Sequence, residues 1–211
     1  PTILGIVLLI DTNTGEILSI MDGEYITALR TGAASGLATK YLSRKESKTV
    51  AIFGCGTQGK TQLTAVNAVR DIQQTFVFDR SSEAGEAFID EMNCKVSGDI
   101  QFTNDLSVLR DVDIVCTATN AETPLFSKEH LKPGAHINAI GSFKPNMQEI
   151  DPAIIQTSRC YFDDREACLK ETGDFIRAKD SSKLSTENII GEIGDCVFGN
   201  IPQRTDRKSV V

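Results

Sequence analysis

Within the stretch Val50-Ala-Ile-Phe-Gly-Cys-Gly-Thr-Gln-Gly-Lys-Thr-Gln-Leu63, three glycines form a G-x-G-x-x-G pattern. An apolar run precedes them and a helix-compatible stretch follows, reaching about Val69. Each glycine has a physical task in such a turn. Gly54 permits the tight strand-to-helix bend, Gly56 lets a pyrophosphate approach the backbone, and Gly59 lets the helix lie close on the sheet. The amides of Thr57, Gln58 and Gly59 then sit at a helix N-terminus, where the dipole favours a phosphate. A glycine turn kept only for packing is the plainer alternative, and the next segment argues against it. Thr75-Phe-Val-Phe78 reads as a second strand and ends in Asp79, close to the position, about 20 residues on, where an acid binds an adenosine ribose. The chemistry in view is dinucleotide binding. Asp79 favours NAD, while Arg80 and Ser81 directly after it can tolerate a 2′-phosphate and keep NADP open.

A second charged candidate precedes the motif. Leu29, Ala33, Leu37 and Tyr41 recur at helical spacing over Tyr25 to Leu42, and the many small residues between them predict very close packing on another element. Arg30 is the one strong charge in the first half of that helix. On spacing alone, a surface arginine and a ligand arginine fit equally well.

The elements that position these residues follow from periodicity. Ile3–Ile10 is a strand candidate, Asp11–Gly15 supplies turn chemistry, and Glu16–Met21 reads as a returning strand. A lone hairpin is not independently stable, so its partner strands are expected upstream in a longer natural chain or on another subunit. From Val50 the alternation is β-α-β-α, the pattern of a parallel sheet with covering helices. Ser81 or Ser82 can cap a helix running to about Asn93. A short strand near Ile100–Phe102, a short helix near Asp105–Arg110, and strands over Asp113–Thr119, Ala135–Gly141 and Arg159–Phe162 complete the series. Ligands of open α/β sheets lie beyond the carboxyl ends of the strands. Those ends are Gly54–Gly59, Asp79, Thr117–Asn120 and Gly141–Phe143, and they are read as one site. Glu187–Phe198 reads as a helix ended by Gly199. The dense acids Asp163, Asp164, Glu166, Glu171 and Asp174 read as a solvated face.

The 211 residues suffice for one or two domains with a real core, and a net charge of −7 argues against nucleic acid or an anionic membrane as the main partner. Helix-end amides, not net charge, hold a cofactor's phosphates. No apolar run approaches a membrane span and nothing resembles a signal peptide. The six cysteines are scattered without a C-x-x-C pair, which fits reduced, structural thiols in the cytoplasm. His130 and His136 are the only histidines, fall on different elements and make no metal site.

Tyr25-Ile-Thr-Ala-Leu-Arg-Thr-Gly-Ala-Ala-Ser35, the glycine motif, Asn138-Ala-Ile-Gly141 and Gly191-Glu-Ile-Gly-Asp195 together resemble the ornithine cyclodeaminase/μ-crystallin family. The likeness runs over nearly the whole chain. It implies a Rossmann-type, doubly wound parallel sheet and a second, here incomplete, α/β domain that carries substrate contacts and a homodimer interface. Residues 1–29 would belong to that second domain, 30–47 to a connecting helix, 48–165 to the dinucleotide domain, and 166–211 to helices returning to the second domain. Family members use NAD(P) for cyclodeamination, amino-acid dehydrogenation or cyclic-imine reduction, and some act as crystallins or hormone binders.

By this resemblance Arg30 reaches the substrate carboxylate and lies near the cofactor, a role a guanidinium fork suits. Thr2, Thr57, Gln58, Asp79 and Thr119 fall where relatives contact NAD. Lys208-Ser-Val-Val211 resembles the family's K-S-V-G segment, making Ser209 a cofactor candidate and Val210 a substrate candidate.

Three departures stand out. The family's N-terminal segment, with its further arginine and a lysine, has no counterpart here, so the expected catalytic lysine lies outside this chain. Thr205-Asp-Arg-Lys-Ser209 joins two family segments with residues missing between them. Cyclodeaminases carry an aspartate where Phe143 stands and a lysine where Met147 stands. The expectation is therefore hydride transfer at the α-carbon of a small amino acid or cyclic imino acid. Ornithine cyclodeamination is the runner-up, and cofactor binding without turnover is a third reading.

Overall fold

The computed structural model describes residues 4–204, so Thr2, Ser209 and Val210 lie outside the described residues. The chain opens with an antiparallel hairpin of β1 (Ile6–Ile10) and β2 (Ile17–Asp22). Its apolar side chains stay largely uncovered: Ile6 is 72% exposed and Ile20 66%. Asp22 then starts α1 (Gly23–Leu42), its carboxylate accepting the amides of Glu24 and Tyr25. At the other end, the Arg70 guanidinium donates to the carbonyls of Thr39, Lys40 and Ser43, and the Thr39 carbonyl also accepts the Ser43 amide.

The central sheet is built from β3 (Thr49–Phe53), β4 (Gln74–Phe78), β5 (Asp99–Phe102), β6 (Ile114–Thr117) and, after β7 (Glu122–Phe126), β8 (His136–Ala139). All five sheet strands are parallel, in the order β5-β4-β3-β6-β8. The chain leaves β3 toward β4 and β5, then returns to the other side of β3 for β6 and β8. That reversal puts a crevice at the carboxyl ends of β3 and β6. α2 (Thr57–Asn67) and α3 (Ser82–Met92) cover one face, and Ser81 is the residue that caps α3.

Alternation along β3 shows why its run is apolar throughout. Val50 and Ile52 pack with Leu63, Val66 and Phe88 on one face, while Ala51 and Phe53 pack with Val115, Phe126 and Ile154 on the other. Both faces are buried, as a parallel sheet requires.

The close packing expected of α1 is made against α2. A Cβ on Gly32 would stand 3.0 Å from the Thr61 carbonyl oxygen, and one on Gly36 would stand 3.2 Å from the Ala65 Cβ. The two contacts have the same offset, so the helices run alongside in the same direction. Arg30, about half a turn before Gly32, lies on the other side of α1 from that seam and is exposed.

Beyond the sheet the reading and the structure part. β9 (Gln148–Ile150) pairs in parallel with β7, and α4 (Pro152–Thr157) follows; none of these three was expected. β10 (Cys160–Phe162) stands outside the central sheet. After α5 (Arg165–Glu171) and α6 (Gly173–Asp180), it pairs with β11 (Ile189–Glu192). The first half of the expected 187–198 helix is therefore strand, and only α7 (Ile193–Phe198) is helical, ending at Gly199. Ile189 and Ile190 are β-branched and satisfy an edge, which outweighs a helix-compatible composition. No helix among the described residues is long and apolar enough to cross a membrane.

Candidate functional site

The crevice is a cleft of about 720 Å³ between the carboxyl ends of the sheet strands, α1 and the C-terminal elements. Of the residues singled out in the sequence, Arg30, Gly56, Thr57, Gln58, Thr119, Gly141 and Phe143 all line it. Gly54 and Gly59 form the turn behind the lining. Asp79 and the exposed Arg80 lie at the neighbouring strand end, beside the cleft and not in its wall.

The three glycines answer to different demands. Gly54 adopts φ 98°, a conformation that side chains with a Cβ rarely tolerate. A Cβ on Gly59 would fall onto the carbonyl oxygen of Gly54. Both are needed by the protein's own packing. Gly56 is different: its backbone is ordinary extended chain, and a Cβ there would meet nothing within 4 Å. Gly56 is the N-cap of α2, where glycine is favoured, and its bare backbone leaves room for a phosphate to approach.

The helix end agrees. Asp22 caps α1 and Ser81 caps α3 with side-chain oxygens, but the α2 N-terminus has no side-chain cap. Its first amides have no side-chain acceptor, an end that suits an anion. Asp79 is held in place from two sides, its Oδ2 accepting the Cys55 amide at 2.8 Å and its Oδ1 the Ser81 amide at 3.1 Å. A carboxylate offers about four acceptor positions, so two remain open beyond these amides.

Across the cleft, Arg30 is exposed, and no carboxylate among the described residues pairs with it. Phe143 is 43% exposed, with the Lys144 ammonium 5.4 Å from its ring centroid. Met147, by contrast, is buried. β8 is tied to α1 beneath the cleft through His136 Nε2 to Asn138 Oδ1 (3.0 Å) and Asn138 Nδ2 to Thr39 Oγ1 (2.9 Å). Burial drives the His136 imidazole down to about 3, so it stays neutral and fixes the strand.

Two buried acids were missed. Glu149 on β9 was not singled out, because it lies in a short polar stretch without periodicity. Asp174 was read as part of a solvated face; Asp163, Asp164, Glu166 and Glu171 are indeed exposed, but Asp174 is 2% exposed. Its Oδ1 accepts the amides of Glu149 (2.8 Å) and Ile150 (3.0 Å), and Oδ2 has no partner among the described residues. The Ser142 hydroxyl accepts the Asp174 amide and donates to the Met147 carbonyl, which binds the 142–147 loop to α6.

Burial pushes the Asp174 carboxyl up to about 6, against the pull of the two amides. A carboxyl raised in the folded state holds its proton where the unfolded chain has lost it, so stability falls as pH rises between about 4 and about 6. This one group should remove roughly 2–3 kcal/mol over that window. Asp174→Asn should abolish that part of the decline. Chemical denaturation of both proteins across the window checks it, and parallel curves would contradict the assignment.

Such a sheet, with a ligand-ready glycine turn at its switch point, defines the Rossmann class of dinucleotide-binding folds. The ornithine cyclodeaminase/mu-crystallin family matches residues 1–211, and the chain belongs to that family. It is 42% identical over 200 residues to a Δ1-pyrroline-2-carboxylate reductase of Bacillus cereus, covering 94% of this chain and 61% of the relative. The chain thus spans about three fifths of that reductase. Among solved structures, Thermococcus litoralis Δ1-pyrroline-2-carboxylate reductase in complex with NADH and L-proline superposes with a TM-score of 0.95. It is 35% identical, over 100% of this chain and 66% of its own. An archaeal alanine dehydrogenase dimer with bound NAD superposes at 0.91 with 31% identity, over 100% and 65% of the two chains.

Proposed function

We propose that the full-length protein is an NAD(H)-dependent oxidoreductase that transfers hydride at a carbon bearing nitrogen and a carboxylate. The substrate is a cyclic imino acid, or a small amino acid in the oxidative direction. The observation that carries this reading is the open backbone at Gly56 in the G-x-G-x-x-G turn, set in one cleft with Arg30, which has no carboxylate partner among the described residues. The likeness to reductases and a dehydrogenase supports the reaction class.

NAD(P)H, when bound, supplies the hydride that converts the C=N carbon to an amine-bearing carbon. The chain's own residues do the rest. The amides of Thr57, Gln58 and Gly59 hold the pyrophosphate, and Asp79 accepts from the ribose hydroxyls, with Arg80 open to a 2′-phosphate. Arg30 clamps the carboxylate and so fixes the neighbouring carbon against the ring. Thr119 and Gly141, which line the cleft at the ends of β6 and β8, would help to hold the nicotinamide half. Thr2 and Ser209 are further cofactor contacts, and Val210 is a substrate contact.

Phe143 decides between reduction and cyclodeamination. A phenyl ring cannot accept a proton, and it makes this wall of the cleft poorly suited to a second ammonium group. Full-length protein should oxidise NADH with Δ1-pyrroline-2-carboxylate and form little proline from ornithine with catalytic NAD+. Rapid proline formation without NADH-dependent reduction would reverse the choice.

We further propose a cytoplasmic homodimer joined through the β1–β2 hairpin. Its uncovered Leu8, Ile17, Leu18 and Ile20 need a cover, and the six unpaired cysteines suit a reducing compartment.

A further inference from the structure

Glu149 is a fully buried acid to which the proposed chemistry gives no task. Its Oε1 accepts the Thr119 amide and the Thr119 hydroxyl, both at 2.7 Å. Its Oε2 accepts the Thr117 hydroxyl at 2.7 Å and the Gly141 amide at 2.8 Å. Four donors from the ends of β6 and β8 therefore converge on one carboxylate. Two are backbone amides, which cannot turn away. A carboxylate answers all four, whereas a carboxamide would set a second donor against one of the fixed amides.

The surroundings are built for this group. A Cβ on Gly141 would run into Glu149 Oε1, so the glycine there is the counterpart of the acid. The Glu149 backbone is itself fixed by Asp174. Burial pushes the Glu149 carboxyl up while its four donors pull it back. Taking an acid out of water is costly, and an apolar side chain would fill the same space more cheaply. What the acid gains is position. Beyond the last paired residue of β6 and of β8, it joins the two strand ends that line the cleft.

We propose that Glu149 is the positioning residue for the nicotinamide half of the cofactor, acting through Thr119 and Gly141 without touching the cofactor itself. The proposal rests on the dinucleotide reading above. ADP-ribose separates the two, because it shares the pyrophosphate cradle and the Asp79 contact but lacks the nicotinamide.

Calorimetric titrations of full-length wild-type, Glu149→Gln and Thr117→Val proteins with NADH and with ADP-ribose test it. The wild type should bind both ligands. Glu149→Gln should bind NADH about tenfold more weakly or worse, the scale of losing hydrogen bonds to a charged group, and ADP-ribose within about twofold of wild type. Thr117→Val, which removes one of the four donors at a buried residue outside the cleft lining, should shift NADH in the same direction and leave ADP-ribose alone. Equal losses for both ligands, or none for NADH, would overturn the positioning role. Should Glu149→Gln fail to fold, Thr117→Val decides, and unchanged NADH affinity there would overturn it. A wild type that binds neither ligand overturns the dinucleotide reading, and the proposal falls with it.

Discussion

Replacing Gly59 with alanine should both destabilise the protein and weaken NADH binding by about 100-fold or more, whereas replacing Gly56 should do only the second. At 59 the new methyl falls onto the carbonyl oxygen of Gly54, so helix α2 must lift from the turn. Overpacking against a well-packed interior costs about 1–3 kcal/mol, and a rigid backbone acceptor puts this case at the upper end. At 56 the methyl meets nothing, and the backbone is one that any residue adopts. Stability should stay within about 0.5 kcal/mol of wild type. The methyl would nevertheless stand where the pyrophosphate must meet the chain. A loss of about 100-fold in NADH affinity corresponds to some 2.7 kcal/mol, a plausible sum for displaced amide–phosphate bonds. Thermal unfolding and NADH titration of the two variants separate the effects. A Gly56→Ala protein that binds NADH like wild type would refute the ligand explanation of that glycine.

Arg30→Met should lower kcat/KM for a 2-carboxylated cyclic imine by about 10²- to 10⁴-fold. Two charge-assisted hydrogen bonds of about 1.5–3 kcal/mol each are lost from a carboxylate held beside the reacting carbon. Arg30→Lys should recover little, because a point charge cannot supply the paired fork. The same imine without its carboxylate gives the control. Wild type should handle it poorly, and Arg30→Met no worse, so the preference for the acid collapses in the variant. NADH affinity should change much less than kcat/KM. Equal activity of wild type and Arg30→Met on the carboxylated imine would remove Arg30 from the site.

The parts of the fold that sequence made legible are those with strong periodic or positional signals. β3 was visible because both its faces are buried and every residue from 50 to 53 is apolar. The turn after it was visible because the glycines at 54, 56 and 59 stand at motif spacing. β7 was not, because Pro124 within it weakens any strand reading, and β9 was not, because three residues carry no period. The 189–192 strand was absorbed into a helix because four residues carry too little period to stand alone, although Gly191 and Gly194 flank its border with α7. At the site, Arg30, Gly56, Thr57, Gln58, Thr119, Gly141 and Phe143, which line the cleft, were singled out from motif and resemblance. Glu149 and Asp174 were not, since an acid becomes informative only when its donors are known, and these come from amides far away in the chain. A glutamate in a polar stretch looks the same whether water or four converging donors surround it.

The glycine contacts between α1 and α2 carry a consequence for how this cleft can be altered. Because Gly32 meets Thr61 and Gly36 meets Ala65 almost backbone to backbone, little slack remains between the helix bearing Arg30 and the helix that follows the glycine turn. Sliding one helix along the other is therefore closed to this chain as a way to reshape the cleft. The 142–147 loop with the exposed Phe143 is not part of that seam. Substitutions there can change one wall while the spacing of α1 and α2 stays fixed.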